Sequence, residues 1–144
     1  MKGRVVAVCL SERKGTSKRP VPEGHLKEDY GLVGDAHARP SFPRQISLLS
    51  IESIRRMREQ GYQVGPGDFA ENLTVEGLNL QALRPGSRIQ VGEAIIEVTQ
   101  RGKECRDACE IGRQLGKCIM PVEGLFARVL KGGRVKPGDE IKVL

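Results

Sequence analysis

Two near copies of one short unit constrain the fold of this chain more than any other feature. Arg84-Pro85-Gly86-Ser87-Arg88-Ile89-Gln90-Val91 and Lys136-Pro137-Gly138-Asp139-Glu140-Ile141-Lys142-Val143 each set Pro-Gly in a turn and follow it with alternating apolar and polar residues. Proline pre-sets φ at the second position of a type II turn, and glycine supplies the positive φ wanted at the third. Alternation with period two is the pattern of a strand with one buried face. Both copies therefore argue for antiparallel β structure. The punctuation extends along the whole chain: 18 glycines and 8 prolines in 144 residues favour many short strands and turns over long helices.

Residues 5–10 read as a buried first strand, and residues 24–35 as a strand or extended segment ending in Gly31-Leu32-Val33-Gly34-Asp35-Ala36-His37. Between them, residues 11–22 are polar and basic and read as an exposed loop. Gln45-Ile46-Ser47-Leu48-Leu49 is a further strand. Ser50 is placed to N-cap a helix over residues 51–60, with Ile51, Ile54 and Met57 or Arg58 on one face and Gly61 as its C′ residue. Gly65-Pro66-Gly67-Asp68-Phe69-Ala70-Glu71 is a turn that leads into a strand ending near Val75, and residues 78–83 connect onward to the first Pro-Gly unit. Ala94-Ile95-Ile96-Glu97-Val98 is a strand, and so is Gly124-Leu125-Phe126-Ala127-Arg128-Val129-Leu130 before the Gly132-Gly133 turn. The expectation is a single domain over residues 1–144, mainly β, a partly closed antiparallel β-barrel with one or two short helices.

The balance of 24 Lys and Arg against 18 Asp and Glu gives a net charge of +6. That suits an anionic ligand or nucleic acid, although solubility alone also explains it. Aromatic residues make up 3% of the chain and tryptophan is absent, so binding to single-stranded nucleic acid by base stacking is disfavoured. The N-terminal apolar stretch is too short for a signal-peptide core, and no run approaches the ~18 apolar residues that span a membrane. The expected compartment is the cytoplasm. There Cys9, Cys105, Cys109 and Cys118 stay reduced, which weakens a disulfide framework. Their spacing does not match paired zinc knuckles either.

Cys105 and Cys109 stand apart from the other two thiols. They follow the strand at 94–98 and precede Glu110-Ile111-Gly112-Arg113-Gln114-Leu115, whose apolar spacing suggests a short helix. At such a junction, unpaired backbone N–H groups and the positive end of the helix dipole stabilise a thiolate, the form that binds metal or carries sulfur. Arg101, Lys103 and Arg106 add positive charge nearby. The alternative reading, two small core residues beside a strand, stays open. Cys9 and Cys118 read as core residues, and Glu71 and Glu123 as surface or turn charges.

Five segments in order carry a resemblance to a known family. They are Gly31-Leu32-Val33-Gly34-Asp35-Ala36-His37-Ala38, Arg44-Gln45-Ile46-Ser47-Leu48-Leu49, Gly67-Asp68-Phe69-Ala70-Glu71-Asn72-Leu73-Thr74, Val98-Thr99-Gln100-Arg101-Gly102-Lys103-Glu104-Cys105 with Cys109, and Cys118-Ile119-Met120-Pro121-Val122-Glu123-Gly124-Leu125-Phe126. Together they resemble the MOSC family, named for the C-terminal domain of molybdenum cofactor sulfurases, and most closely its small stand-alone bacterial type. The resemblance implies a mainly β, barrel-like fold and a role around the molybdenum cofactor (molybdopterin), a pterin with dithiolene sulfurs and a phosphate, held stably or transiently. It implies a cysteine that carries sulfur as a persulfide or ligates molybdenum. Cys109 stands first in both roles, and Cys105 is the other candidate.

Beside that resemblance, Arg44 is the candidate for the cofactor's phosphate, because a guanidinium binds an anion through two donors. Gln45 and Asn72 are candidates for the pterin edge, since amides both donate and accept. His37 is a candidate acid or base near the cofactor. Each also has a plain structural reading: a surface Arg, turn-holding amides, a hydrogen-bonded His beside Asp35. Three functions follow. In the first, a sulfur carrier receives sulfur from a cysteine desulfurase and passes it to the molybdenum cofactor or a molybdoenzyme. No lysine here has the context of a Schiff base, so pyridoxal phosphate belongs to that partner. The second is a small molybdenum-dependent oxidoreductase acting on N-hydroxylated compounds, and the third an interaction domain with incidental cysteines.

Overall fold

A computed structural model describes residues 1–102 and 118–144. Cys105 and Cys109, with the helix expected after them, lie outside the described residues. The strands are β1 (Lys2–Leu10), β2 (Arg19–Val21), β3 (Gly24–Lys27), β4 (Gly31–Leu32), β5 (Ile46–Ser50), β6 (Leu73–Glu76), β7 (Arg88–Val91), β8 (Ala94–Arg101), β9 (Leu125–Lys131), β10 (Gly133–Val135) and β11 (Glu140–Val143). Helix α1 (Ile51–Glu59) follows β5, a 3₁₀ turn covers Leu80–Ala82, and the short helix α2 (Met120–Glu123) precedes β9.

Neighbouring strands run β11-β7-β8-β9-β5-β6-β1, and β1 pairs back onto β11. The result is a closed barrel of seven strands, with β2 added beside the far end of β1. The structure thus goes further than the expected partial closure. One pair, β5 with β6, is parallel, with Leu48 opposite Leu73. A parallel pair needs a crossover rather than a hairpin, and α1 lies on the connection between these two strands. A second sheet of three strands, β10-β3-β4, contributes Leu26, Leu32 and Val135 to the barrel's apolar interior.

Alternation along the wall strands sends side chains to two cores. Ile46, Leu48, Leu73, Val98, Leu125 and Ile141 fill the barrel. Leu49, Phe69, Phe126 and Met120 join Ile54 and Met57 of α1 in a smaller cluster outside it. Ser50 caps α1 as its sequence suggested, its hydroxyl accepting from the Ser53 N–H at 3.1 Å. Gly61 follows the helix in the left-handed region, at φ +98°.

Three local expectations change. The stretch 11–22 is not simply an exposed loop, because β2 pairs with β1 and both Ser11 and Lys18 are buried. The connection 78–83 contains the 3₁₀ turn, and Leu78, Leu80 and Leu83 join the barrel core. The β5–β6 pair departs from an all-antiparallel barrel.

Closure depends on close approach at the start of β1. Gly3 pairs with Ile141 of β11, and a Cβ on Gly3 would overlap the Glu76 carbonyl oxygen at the end of β6. Its φ is not in the left-handed region, so the requirement is space alone. Gly3→Ala is expected to destabilise the protein by about 1–3 kcal/mol, the usual size of overpacking. Urea denaturation measures this, and an unchanged midpoint would refute a tight seam at this position.

Candidate functional site

The start of β6 is fixed by a buried carboxamide. Asn72 Oδ1 accepts from the Ser47 N–H at 3.0 Å and from the Ser47 hydroxyl at 3.2 Å, and Nδ2 donates to the Cys9 carbonyl at 3.1 Å. One side chain thereby ties β5, β6 and β1 together. Gln45 works in the same way one strand over. Its Nε2 donates to Asp29 Oδ1 at 3.0 Å and to the Arg39 carbonyl at 3.2 Å, and its Oε1 accepts from the Val129 N–H at 2.9 Å. Both amides are fully enclosed and bonded to protein groups.

Arg44 is half-buried just before β5. Its guanidinium lies 5.2 Å from the centroid of the Phe42 ring, and that of Arg39 lies 3.8 Å from the same ring. Beside Phe42 is a cleft of 530 Å³ lined by Asp29, Ser41, Phe42, Pro43, Thr99 and Arg128. The Thr99 hydroxyl donates to the Pro43 carbonyl across its floor.

His37 belongs to a network that the sequence did not reveal. Lys18 Nζ donates to Asp35 Oδ1 at 2.8 Å and to the Ser11 hydroxyl at 3.0 Å, and lies 3.1 Å from His37 Nδ1. The Lys18 and Asp35 side chains are 1% and 0% exposed, and that of His37 is 26% exposed. Burial opposes charge on Asp35, yet the His37 backbone N–H at Oδ2, the Lys18 and Ser11 bonds at Oδ1 and the adjacent ammonium outweigh it and hold its carboxyl well below the usual range. Asp35 lies in a quoted family-like segment, but nothing in the sequence singled out Lys18 among 24 basic residues.

A second buried carboxyl contradicts the sequence reading. Glu71, expected at the surface or in a turn, is fully buried. Its Oε2 accepts from the Gly67 N–H at 3.0 Å and the Thr74 hydroxyl at 2.6 Å, and among the described residues its Oε1 has no partner. Burial pushes its pKa up, against the bonds that favour the charged form. Cys9 lies buried nearby, and desolvation, followed by the Glu71 and Asp68 charges, pushes its thiol up to about 12. A thiol of that kind is a poor nucleophile at neutral pH. Cys118 is half-buried against the outer cluster.

The connection bearing Cys105 and Cys109 is anchored at both ends. The Gly102 N–H donates to the Gly124 carbonyl at 2.7 Å, and a Cβ on Gly102, where φ is +67°, would overlap the Pro121 carbonyl. Glu123, also read as a surface or turn charge, is half-buried: its carboxylate accepts from the Ser53 hydroxyl at 2.8 Å and from the Arg56 guanidinium, tying α2 to α1. Arg101 donates to the Gln81 carbonyl at 2.9 Å, and the Gln81 amide donates to the Glu123 carbonyl at 3.1 Å. Gln45 and Asn72 stand at the starts of β5 and β6, which pair with each other, while the two thiols lie outside the described residues. Among the described residues no group of three or more His, Cys, Asp and Glu is placed to hold a metal ion, and no helix is long and apolar enough to cross a membrane.

The two buried carboxyls act oppositely on stability. For Asp35, whose pKa is lowered on folding, the stabilisation is present above about pH 4 and is lost as the pH falls through its folded value. Asp35→Asn strands the Lys18 charge and is expected to lose roughly 3–5 kcal/mol at neutral pH, read by chemical denaturation. For Glu71, whose pKa is raised, the folded chain keeps a proton that the unfolded chain releases, so stability falls as the pH rises above about 4.5. Glu71→Gln should flatten the decline in urea midpoint as the pH rises above about 4.5. The same slope in wild type and variant would show that Glu71 does not cause the decline.

Comparison with known proteins adds to this geometry. Residues 33–142 match the model of the MOSC domain. YflK from Bacillus subtilis (strain 168) is 31% identical over 83 residues, 53% of this chain and 36% of that protein, so the match spans about a third of the relative's length. Among solved structures, the YuaD protein from Bacillus subtilis superposes with a TM-score of 0.79 at 20% identity, covering 99% of this chain and 96% of that one. YiiM from Geobacillus stearothermophilus gives 0.76 at 21% identity, covering 99% and 75%. YiiM from Escherichia coli gives 0.68 at 23%, covering 100% and 70%. At these identities the structural likenesses speak for the fold alone.

Proposed function

The chain belongs to the MOSC domain family, and from that premise we propose that it is a sulfur carrier for the molybdenum cofactor, with Cys109 as the carrying thiol and Cys105 beside it. Membership supports a role related to the molybdenum cofactor or to sulfur in general terms; the carrier chemistry is our reading. The observation behind it is the contrast between the thiol in the barrel wall and the basic sequence around the other two. Cys9, in the barrel wall, is buried with its pKa pushed up to about 12, whereas Cys105 and Cys109 sit among Arg101, Lys103 and Arg106 on a connection anchored at Gly102 and α2. Basic neighbours favour a thiolate.

The step is a thiol–persulfide exchange. The Cys109 thiolate attacks the outer sulfur of a persulfide on a pyridoxal-phosphate-dependent cysteine desulfurase. A new S–S bond forms at Cys109, the partner's S–S bond breaks, and the partner's cysteine leaves as thiolate. The sulfane sulfur moves without change of oxidation state, so no external oxidant is required.

The donor set of the described residues fits part of the cofactor. Arg44 and Arg39 over Phe42, with Arg128 on the adjoining cleft, suit a phosphate. Gln45 and Asn72 spend their amides on Asp29, Arg39, Ser47, Cys9 and Val129, and so have little to offer a pterin edge. When bound, the cofactor would supply the metal centre for which the carried sulfur is destined.

Protein purified from a host that makes the cofactor should carry cyanide-labile sulfur. Cys109→Ser is expected to lose that sulfur with its thermal midpoint unchanged. Loading that persists in both Cys109→Ser and Cys105→Ser would overturn the carrier. Stoichiometric molybdenum with pterin would favour the reductase of N-hydroxylated compounds instead, and neither metal nor labile sulfur would favour an interaction domain.

A further inference from the structure

The protons of the buried Lys18 network can all be placed. An ammonium has three N–H donors and no lone pair. Around Lys18 Nζ stand three acceptors: Asp35 Oδ1 at 2.8 Å, the Ser11 hydroxyl oxygen at 3.0 Å and His37 Nδ1 at 3.1 Å. The Ser11 hydroxyl spends its own proton on the Arg13 carbonyl at 2.8 Å, which leaves its oxygen free to accept. Asp35 is complete as well, Oδ1 taking the Ser11 N–H and Oδ2 the His37 N–H, each at 3.1 Å. His37 Nδ1 lies 3.7 Å from Asp35 Oδ2, too far for a hydrogen bond of ordinary length.

If His37 carried its proton on Nδ1, that proton would point at the ammonium, and one Lys18 N–H would lose its acceptor in a site closed to water. Leaving a buried donor on a charged group unsatisfied is strongly unfavourable. Nδ1 must therefore be the acceptor, and a neutral ring then carries its proton on Nε2. The exposed quarter of the His37 side chain borders solvent, while Nδ1 is turned inward to Lys18.

We infer that Lys18 is a positioning residue that locks His37 in its Nε2–H tautomer, so that the imidazole meets a ligand as a hydrogen-bond donor to an anionic oxygen. This replaces the acid-or-base role that the sequence left open for His37 with a narrower one. A general base would need a lone pair on Nε2, and Nε2 carries the proton. The inference stands on hydrogen-bond geometry and is independent of sulfur transfer. Its ligand class is an oxyanion, the partner that an N–H donor takes.

Long-range ¹H–¹⁵N correlation of the full-length protein, at a pH where His37 is neutral, reads the tautomer directly. The expected spectrum has a protonated Nε2 and an unprotonated, hydrogen-bonded Nδ1 as a single species. A protonated Nδ1, or a mixture of both forms, would overturn the lock. Lys18→Met should release His37 into a mixture, and Lys18→Arg, which keeps N–H donors, should restore the single form. Should Lys18→Met fail to fold, the wild-type spectrum still decides. Titration with inorganic phosphate should move the His37 Nε2 resonance and leave Nδ1 unprotonated. A resonance that stays fixed up to tens of millimolar phosphate would overturn the donor role.

Discussion

The whole architecture depends on β1 finding partners on both sides along its length. Lys2 to Arg4 pair with β11, Arg4 to Val8 with β6, and Val8 to Leu10 with β2, with a register shift between Val5 and Ala7. Closing the ring removes the open edges that an exposed sheet would present, and it encloses the apolar interior. The two Pro-Gly units take equivalent parts in this. In each, the turn closes with an N–H to carbonyl bond across four residues, Ser87 to Arg84 and Asp139 to Lys136. In each, the glycine at φ +96° or +94° donates its N–H to a valine carbonyl on a wall strand, Gly86 to Val98 and Gly138 to Val5. The valine then returns its own N–H to the residue after the glycine, Val98 to Ser87 and Val5 to Asp139. The repeat in the sequence is thus a repeated stitch, and one copy lies at the closing seam.

What could be read in the sequence was local. Proline followed by glycine gave the turns, a serine before an apolar face gave the cap of α1, and Gly61 gave its end. Pairing across long sequence distances was not legible. No local pattern tells β1 to meet β11 at the opposite end of the chain, or tells β5 to run parallel to β6. Arg19-Pro20-Val21 carries too little apolar character to be read as a strand, and it becomes β2 because β1 offers it a free edge. Of the residues quoted for the family likeness, Gln45 and Asn72 fall in the interior. Their roles there are to hold strands: Asn72 and Gln45 answer to Ser47, Cys9 and Val129.

Buried charge was the least legible feature, because a single charged letter does not show its partner. Lys18 looks like its neighbours in a polar run, and Glu71 looks like any turn carboxylate. The structure gives them opposite solutions on the two sides of Gly67. The Lys18 N–H donates to the Gly67 carbonyl, and the Gly67 N–H donates to Glu71 Oε2. A Cβ on Gly67 would overlap the Lys18 carbonyl, so glycine lets the two segments touch. On one side an ammonium and a carboxylate meet with every donor and acceptor used, and the carboxyl is held well below its usual range. On the other, a carboxyl has donors for one oxygen only among the described residues, and desolvation drives it toward the neutral acid.

That same desolvation explains why the barrel wall cannot supply a reactive thiol. Cys9 is completely enclosed, and the groups that raise its pKa, burial first and then Glu71 and Asp68, outweigh the single opposing charge of Lys18. Moving Lys18 closer would not help, because its three protons already serve Asp35, Ser11 and His37. A thiolate needs donors and cations that are not spent on the fold, and a closed barrel uses its backbone donors in the ladder. The wall around Cys9 therefore does not support thiol chemistry at neutral pH. The stretch between Gly102 and α2 carries two cysteines with Lys103 and Arg106 in its sequence. Its ends are fixed by the Gly102–Gly124 bond and by Glu123 bound to Ser53 and Arg56.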